Sequence, residues 1–228
     1  MTLTATLLAS KPQLHAQATA PPFLQAASNG TVSKDTLASW LAADAIYVRL
    51  YIQAIGRVLA TLDLDEAFLS WLVDGLVGLR AELALFKRVA DEYTLDTDVD
   101  VRDNQGLALF KTLFSSITFT TEPSSWFHPA VLFFATERIY LDAWTQTSHN
   151  LSPQPPTADA DQGALRTALI PNWSSPTFAA FVSRLAALLD AAFEQLDGGR
   201  RRAVEERALL LWEEVLRAEE AFWPRGED

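Results

Sequence analysis

The spacing of apolar residues along the chain is helical. Apolar positions recur every three or four residues over long segments, and no convincing run alternates with a period of two. This pattern predicts an all-α protein. The predicted helices cover about 33–62, 65–93, 105–117, 129–146, 162–169, 176–196 and 200–223. Such helices joined by short loops are typical of one bundle domain, here over residues 1–228.

A few segments fall outside the helical pattern. Residues 1–20 are expected to form a poorly constrained N-terminal segment. Residues 147–161 contain the run SPQPP, which cannot be helical, and are expected to form a Pro-rich surface loop. A turn is predicted at Glu122 to Ser125, and Gly198-Gly199 is expected to end the helix that precedes it.

The composition excludes several kinds of chemistry. The chain of 228 residues has no cysteine, which rules out a disulfide scaffold, a thiolate metal site, an iron–sulfur cluster and a cysteine nucleophile. Its 29 acidic and 18 basic residues give a net charge of −11, which argues against a nucleic-acid-binding protein. No apolar stretch approaches the length of a membrane span without charge, and we expect no membrane-spanning helix. Because no secretion signal is recognised, we expect a cytoplasmic protein.

Three predicted helices each place one carboxylate on a face that also carries aromatic rings. The three groups are Asp44 with Trp40, Tyr47 and Tyr51; Glu137 with Tyr140 and Trp144; and Glu219 with Trp212, Phe222 and Trp223. A single acid in an amphipathic helix usually faces solvent, and an aromatic stripe is usually core. If the three faces converge, burial would raise the carboxylate pKa values and crowding would separate them, as general acid–base catalysis requires.

The order and spacing of several stretches resemble the TenA family, the aminopyrimidine hydrolases of thiamin salvage, which share a haem-oxygenase-like helical bundle. The resemblance runs from about Pro22 to Trp223. The similar stretches are PFLQAASNGTVS, LAADAIY, ATERIYLDAW, WSSPTF and EEAFW. Two positions depart from the family pattern, since Pro21 stands where a His usually precedes Pro-Phe and Ala43 stands where a Gln precedes the aspartate.

The resemblance also implies a branch of the family. One branch has a catalytic cysteine in the fourth-helix motif, and the other has a glutamate there. The lack of cysteine and the stretch ATERIYLDAW place this chain in the glutamate branch. Within it, the stretches SKDTLASWLAADAIY and YIQAIGRVLA look most like fungal members.

The resemblance implies a substrate and a role for each site residue. The substrate would be an amino- or acylamino-methylpyrimidine product of thiamin breakdown, cleaved to hydroxymethylpyrimidine and an amine or ammonia without cofactor or metal. Asp44 would accept hydrogen bonds from the ring-nitrogen and exocyclic-amine edge. Glu219 would be the proton shuttle that protonates the departing amine, and Glu137 would activate water or hold the substrate. The aromatic walls of the flat ring would be Tyr47, Tyr51, Tyr140 and Phe222.

Two other classes of function stay open. A haem or di-iron oxygenase on the same bundle would need histidine ligands, and the chain has only His15, His128 and His149. Haem binding would depend on His15 alone. A non-catalytic pyrimidine-binding or regulatory member of the family is the other class, because a fold does not determine a function.

The family resemblance further implies a homodimer or homotetramer. The large apolar side chains of Trp71, Trp126 and Phe127 are candidates for the subunit interface. Each of these residues could equally be buried within one subunit.

Overall fold

Helices make up most of the protein in a computed structural model that describes residues 1–61, 64–117 and 125–225. The α-helices are α1 (Leu3–Ser10), α2 (Pro12–Thr19), α3 (Pro22–Asn29), α4 (Lys34–Thr61), α5 (Glu66–Tyr93), α6 (Gln105–Ser115), α7 (Phe127–His149), α8 (Ile170–Trp173), α9 (Pro176–Glu194) and α10 (Gly198–Phe222). A 3₁₀ turn at Pro156–Ala158 and a π-helical turn at Leu165–Leu169 lie between α7 and α8. No β-strand occurs in the described ranges, so the all-α prediction is confirmed. The turn predicted at Glu122 to Ser125 lies mostly outside the described residues.

Side-chain caps determine where several helices begin. Ser33, Asp65 and Asn104 each accept a hydrogen bond from a backbone N–H two or three residues further on, at 3.1, 2.9 and 2.9 Å. These bonds satisfy donors that the first turn of a helix leaves free. Asp197 caps α10 in the same way, so the neighbouring Gly198 opens α10 and does not end α9, in contrast to the prediction.

The N-terminal segment is held more tightly than the sequence predicts. Leu3 and Leu7 of α1 are fully buried in the core. The backbone N–H and the hydroxyl of Thr4 donate hydrogen bonds to the carboxylate of Asp190 in α9, at 2.9 and 2.7 Å. A helix as short as α1 is marginal by itself, and contacts with residues far away in the sequence stabilise it.

The Pro-rich segment is partly interior. Helix α7 continues to His149, so the irregular chain begins later than predicted. Asp159 is buried and pairs with Arg166, with 2.7 Å between Oδ2 and Nε. The backbone N–H of Ala160 donates to the carbonyl of Gly30 at 2.8 Å. Gly30 has a φ of +68°, and an added Cβ there would lie 2.0 Å from the Asp159 carboxylate, so only glycine fits.

A cluster of tryptophans joins the helices that carry the site. Trp40 of α4, Trp144 of α7, Trp173 of α8 and Trp223 just after α10 are all buried. Their ring centroids lie between 4.8 and 6.0 Å apart in the five contacting pairs. Close packing of large rigid rings fixes these four elements relative to one another, and with them the side chains described below.

The candidate interface residues are packed within the chain. Trp71 is fully buried, and its Nε1–H donates to the carbonyl of Phe181 at 3.0 Å. Phe127 is buried as well, and Trp126 stacks on it with 4.5 Å between ring centroids. Of the two alternatives that the sequence leaves open for Trp71 and Phe127, the structure shows burial within the subunit.

One helical run in the described ranges, Leu165–Glu194, is long and apolar enough to cross a membrane by length and composition alone. This is weak evidence, because core helices of soluble proteins meet the same criteria. The run is also bent, since the backbone leaves the helical conformation at Ser175 between α8 and α9.

Candidate active site

A cavity of about 1180 Å³ lies between α5 on one side and α8 and α9 on the other, and it reaches inward to α4 and α7. Its inner end is polar and aromatic, and its outer part is a groove between α5 and α9 that opens to solvent. The inner end is lined by Asp44, Tyr47, Tyr51, Glu82, Glu137 and Tyr140. A concave site with a few convergent polar groups among aromatic side chains is typical of a small-molecule site.

Five of the seven residues that the sequence singles out line this cavity, and two do not. Those that line it are Asp44, Tyr47, Tyr51, Glu137 and Tyr140. Phe222 is buried against Tyr47 and Phe110, with ring centroids 5.8 and 6.0 Å apart. It therefore packs behind Tyr47 and does not form the cavity wall itself, which differs from the prediction.

Asp44 is the most enclosed carboxylate that lines the cavity. It is 2% exposed, and the hydroxyl of Tyr140 donates a hydrogen bond to its Oδ2 at 3.2 Å. The ring of Tyr140 stacks on Trp223 at an angle of 5°, which fixes the direction of its hydroxyl. Burial raises the pKa of Asp44 well above its usual range, and the negative charge of Glu82 raises it further. A protonated Asp44 can donate a hydrogen bond as well as accept one.

Glu137 and Tyr51 face each other at the inner end of the cavity. Removal from water raises the pKa of Glu137 to about 8. Tyr51 is 2% exposed, and its hydroxyl lies beside Glu137 and lowers the pKa of that carboxyl, although no hydrogen bond of regular geometry joins the hydroxyl to a described residue. A hydroxyl next to a buried carboxyl reduces the cost of ionising it, so Tyr51 supports the ionised form of Glu137.

Glu219 of α10 lies beside the inner end of the cavity without belonging to its lining. It is 3% exposed, its Oε1 has no hydrogen-bond partner among the described residues, and burial raises its pKa to about 8. Its charge raises the pKa values of Asp44, Tyr47 and Tyr140, which places it close to all three. The structure thus brings the three predicted carboxylates into one region.

The start of α6 holds the end of α10 in place. Asn104 caps α6, and its side-chain Nδ2 also donates to the carbonyl of Phe222 at 3.1 Å. An added Cβ at Gly106 would lie 2.3 Å from the backbone of Phe222, so the glycine lets the two helices approach closely. These contacts fix the last turn of α10, which carries Glu219.

A fourth carboxylate, Glu82 of α5, was not singled out from the sequence. It lines the cavity, and it accepts a hydrogen bond from Nε1–H of Trp173. Burial raises its pKa to about 7. The pattern contains a signal for it, because Glu82 follows Leu79 by three residues and precedes Phe86 by four, and both of these are buried.

The inner end of the cavity has no positive charge to balance these acids. The only basic residues among the described lining are Arg88 and Arg184, and both are exposed on the outer groove. Arg184 also pairs with Asp74 across the groove at 2.6 Å. Four carboxylates so close together, without a cation, cannot all be ionised in the unliganded protein.

Within the described residues, no group of three or more His, Cys, Asp or Glu side chains has a metal-binding arrangement. His15, on which haem binding would depend, lies on α2 outside the cavity lining. Its Nε2 is 3.1 Å from the carboxylate of Asp142, and its ring stacks on Trp212.

Known proteins identify the family of this chain. The family model described as the TENA/THI-4/PQQC family matches residues 10–228. Among solved structures, the chain is similar to a TenA homologue from Pyrococcus furiosus, with a TM-score of 0.78 and 19% sequence identity over 97% of this chain and 98% of that chain. That likeness confirms the predicted TenA-type, haem-oxygenase-like bundle. A comparison with curated proteins gave no significant match. The chain is a member of the TENA/THI-4/PQQC family.

Proposed function

We propose that the protein is a hydrolase that acts on an aminopyrimidine derived from thiamin breakdown. It cleaves the C–N bond between the methylene carbon attached to the ring and the nitrogen that this carbon carries. Membership of the TENA/THI-4/PQQC family supports this reaction class. The observation that carries the proposal is the convergence of Asp44 and Glu137 on the inner end of one cavity with aromatic walls, with Glu219 beside them. The substrate is an amino- or acylamino-methylpyrimidine, and the product is hydroxymethylpyrimidine.

Asp44 binds the pyrimidine ring. A neutral carboxyl donates one hydrogen bond to a ring nitrogen and accepts one from the neighbouring exocyclic amine, and its raised pKa favours this neutral form. Tyr140 holds the carboxyl in position through its hydroxyl. Tyr47 and Tyr51 provide the flat surfaces against which the ring stacks.

Glu137 and Glu219 move the protons of the reaction. The oxygen of water bonds to the methylene carbon, the C–N bond breaks, and its electron pair leaves with the nitrogen. Glu137 takes a proton from the water, and Glu219 supplies one to the departing nitrogen, so protons balance. Both carboxyls have a pKa of about 8, which lies close enough to neutral pH for acid and base forms to be present together.

Ammonia release from 4-amino-5-aminomethyl-2-methylpyrimidine tests the proposal. The wild-type protein should release ammonia, and Glu219→Gln should abolish the release because an amide cannot supply the proton. Glu220→Gln is the matched control, since Glu220 is the next residue on α10 and is exposed. Full activity in Glu219→Gln would contradict the role of Glu219.

The same measurement distinguishes a non-catalytic family member. Tight binding of the aminopyrimidine by the wild-type protein, without ammonia release, would identify a pyrimidine-binding or regulatory protein. A wild-type protein that neither binds the aminopyrimidine nor releases ammonia from it would contradict the proposed substrate class.

A further inference from the structure

Glu82 stands at the junction between the inner end of the cavity and the outer groove. Helix α5 lines the cavity on both sides of it, with Gly78 and Leu85 one turn away in either direction. The hydrogen bond from Trp173 fixes the carboxylate, and the ring of Trp173 contacts Tyr140 with 5.4 Å between centroids. Because Tyr140 also bonds to Asp44, the two carboxylates are held in a defined relation across the cavity.

Charge shows what kind of group the inner end accepts. Glu82, Asp44, Glu137 and Glu219 share this region, and the described lining offers basic side chains only on the outer groove. A neutral or anionic ligand would leave any ionised carboxylate without compensation, whereas a cation would pair with it. Aromatic faces attract cations as well, and Trp173 and the tyrosines supply them.

Two of the carboxylates are open to the cavity. Glu82 and Glu137 keep partial exposure, which they owe to the cavity that they face. The Tyr51 hydroxyl is buried beside Glu137 and lowers the pKa of that carboxyl, whereas Glu82 has, among the described residues, only Trp173 as its hydrogen-bond donor. Glu82 is therefore available to a bound molecule.

The groove gives the direction in which a substituent extends. An added Cβ at Gly78 would meet no atom within 4 Å, so the space beyond Glu82 is open. With the pyrimidine ring on Asp44 at the inner end, a substituent on the leaving nitrogen that extends to solvent would pass Glu82 and leave through this opening.

We propose that Glu82 binds the leaving nitrogen of the substrate and stabilises the positive charge on it. The inference rests on the proposed hydrolysis of aminopyrimidines and narrows its substrate class. Basic amines, including N-alkyl amines that extend into the groove, are the preferred substrates. An acylamino nitrogen cannot hold a positive charge in this way and is a poorer substrate. Glu219 takes up the extra proton of the bound amine and returns it to the nitrogen as the C–N bond breaks, and Glu82 stabilises the positive charge on the nitrogen before and after this transfer.

Two pyrimidines of nearly equal shape test the proposal. The aminomethyl compound is a cation at neutral pH, and the hydroxymethyl compound is neutral. Calorimetric Kd values for both are measured in the Glu219→Gln background, which should not hydrolyse the amine: with Glu82 present, with Glu82→Gln, and with Glu92→Gln, an exposed position on the same helix. The amide oxygen of Gln keeps an acceptor for Trp173, so binding of the neutral compound reports that the site is intact.

Glu82→Gln should bind the amine at least about tenfold more weakly, because the variant loses one charge-assisted hydrogen bond. Binding of the alcohol should change less than about threefold, and Glu92→Gln should match the protein in which Glu82 is present. Equal weakening of both ligands, or no weakening of either, would overturn the proposal. Faster wild-type hydrolysis of the N-formyl compound than of the free amine would overturn it too.

These results separate the inference from the function on which it rests. If the wild type releases ammonia and Glu82→Gln binds the amine normally, the role of Glu82 is wrong and the hydrolase remains. If the wild type binds neither pyrimidine and releases no ammonia from the amine, the proposed function fails and the inference fails with it.

Discussion

Replacing Glu219 by glutamine should remove a large part of the pH dependence of stability. Glu219 is 3% exposed, and burial raises its pKa from 4.5 to about 8. The folded protein therefore keeps a proton that the unfolded chain has released. Since the folded pKa is the higher one, the contribution to stability is fully present below pH 4.5 and is lost as the pH rises towards about 8.

The size of the effect follows from one proton. Each pH unit in which only the folded state holds the proton lowers the free energy of unfolding by about 1.4 kcal/mol. Between pH 5 and pH 8 the wild type should lose about 3 kcal/mol through Glu219 alone. Glutamine does not titrate, so the free energy of unfolding of Glu219→Gln, relative to the wild type, should rise by about this amount over the same range.

Urea unfolding at pH 5, 6, 7 and 8, followed by tryptophan fluorescence, measures the difference. Glu220→Gln is the control, because this neighbour on α10 is exposed and its substitution leaves the interior unchanged. Some pH dependence should remain in Glu219→Gln, since Glu82 and Glu137 also have raised pKa values. Parallel curves for the wild type and Glu219→Gln would refute the reasoning, because Glu219 would then be ionised to the same extent in both states.

Three further substitutions test a close helix contact, the open groove and the buried ion pair. Gly106→Ala should lower the free energy of unfolding by about 1–3 kcal/mol, since its Cβ would lie 2.3 Å from the backbone of Phe222; an unchanged urea midpoint would contradict this close approach. Gly78→Leu should leave the thermal midpoint equal or higher while lowering kcat/KM, because the new side chain meets only the open groove; unchanged kinetics would show that substrates do not use it. Arg166→Ala should cost about 3 kcal/mol in urea unfolding, because Asp159 stays buried without its partner, and a cost below about 1 kcal/mol would show that the pair is dispensable.

Helical spacing explains which site residues could be predicted. In a long helix, the spacing between residues fixes the face that they share, so Asp44 with Tyr47 and Tyr51 could be placed on one apolar face without a structure. Glu82 escaped the same reasoning because only one aromatic residue, Phe86, lies within one turn of it on α5. Its hydrogen-bond partner, Trp173, lies 91 residues away in the sequence, and no local pattern predicts that contact.

Tertiary contacts explain the remaining differences. Helix α1 is too short for a clear periodicity, and the bond from Thr4 to Asp190 spans 186 residues. The family resemblance implied that Phe222 belongs to the cavity wall, and in the sequence it shares a face with Glu219. Which part of that face reaches the cavity depends on α6, whose Phe110 packs with Phe222 against Tyr47. The sequence specifies a helix face, but the neighbouring helices decide what that face contacts.

The interior acids connect stability with binding. At neutral pH, the raised pKa values of Glu82, Glu137 and Glu219 mean that holding their protons costs folding free energy. A bound cation would favour the ionised carboxylates and remove part of this cost. At pH 7, the proposed amine should therefore stabilise the fold more than the matched neutral alcohol does, when each ligand is added at the same multiple of its own Kd at pH 5. The reason is that only the amine gains affinity as the carboxyls ionise. The groups that weaken the unliganded fold would thus be the groups that select the ligand.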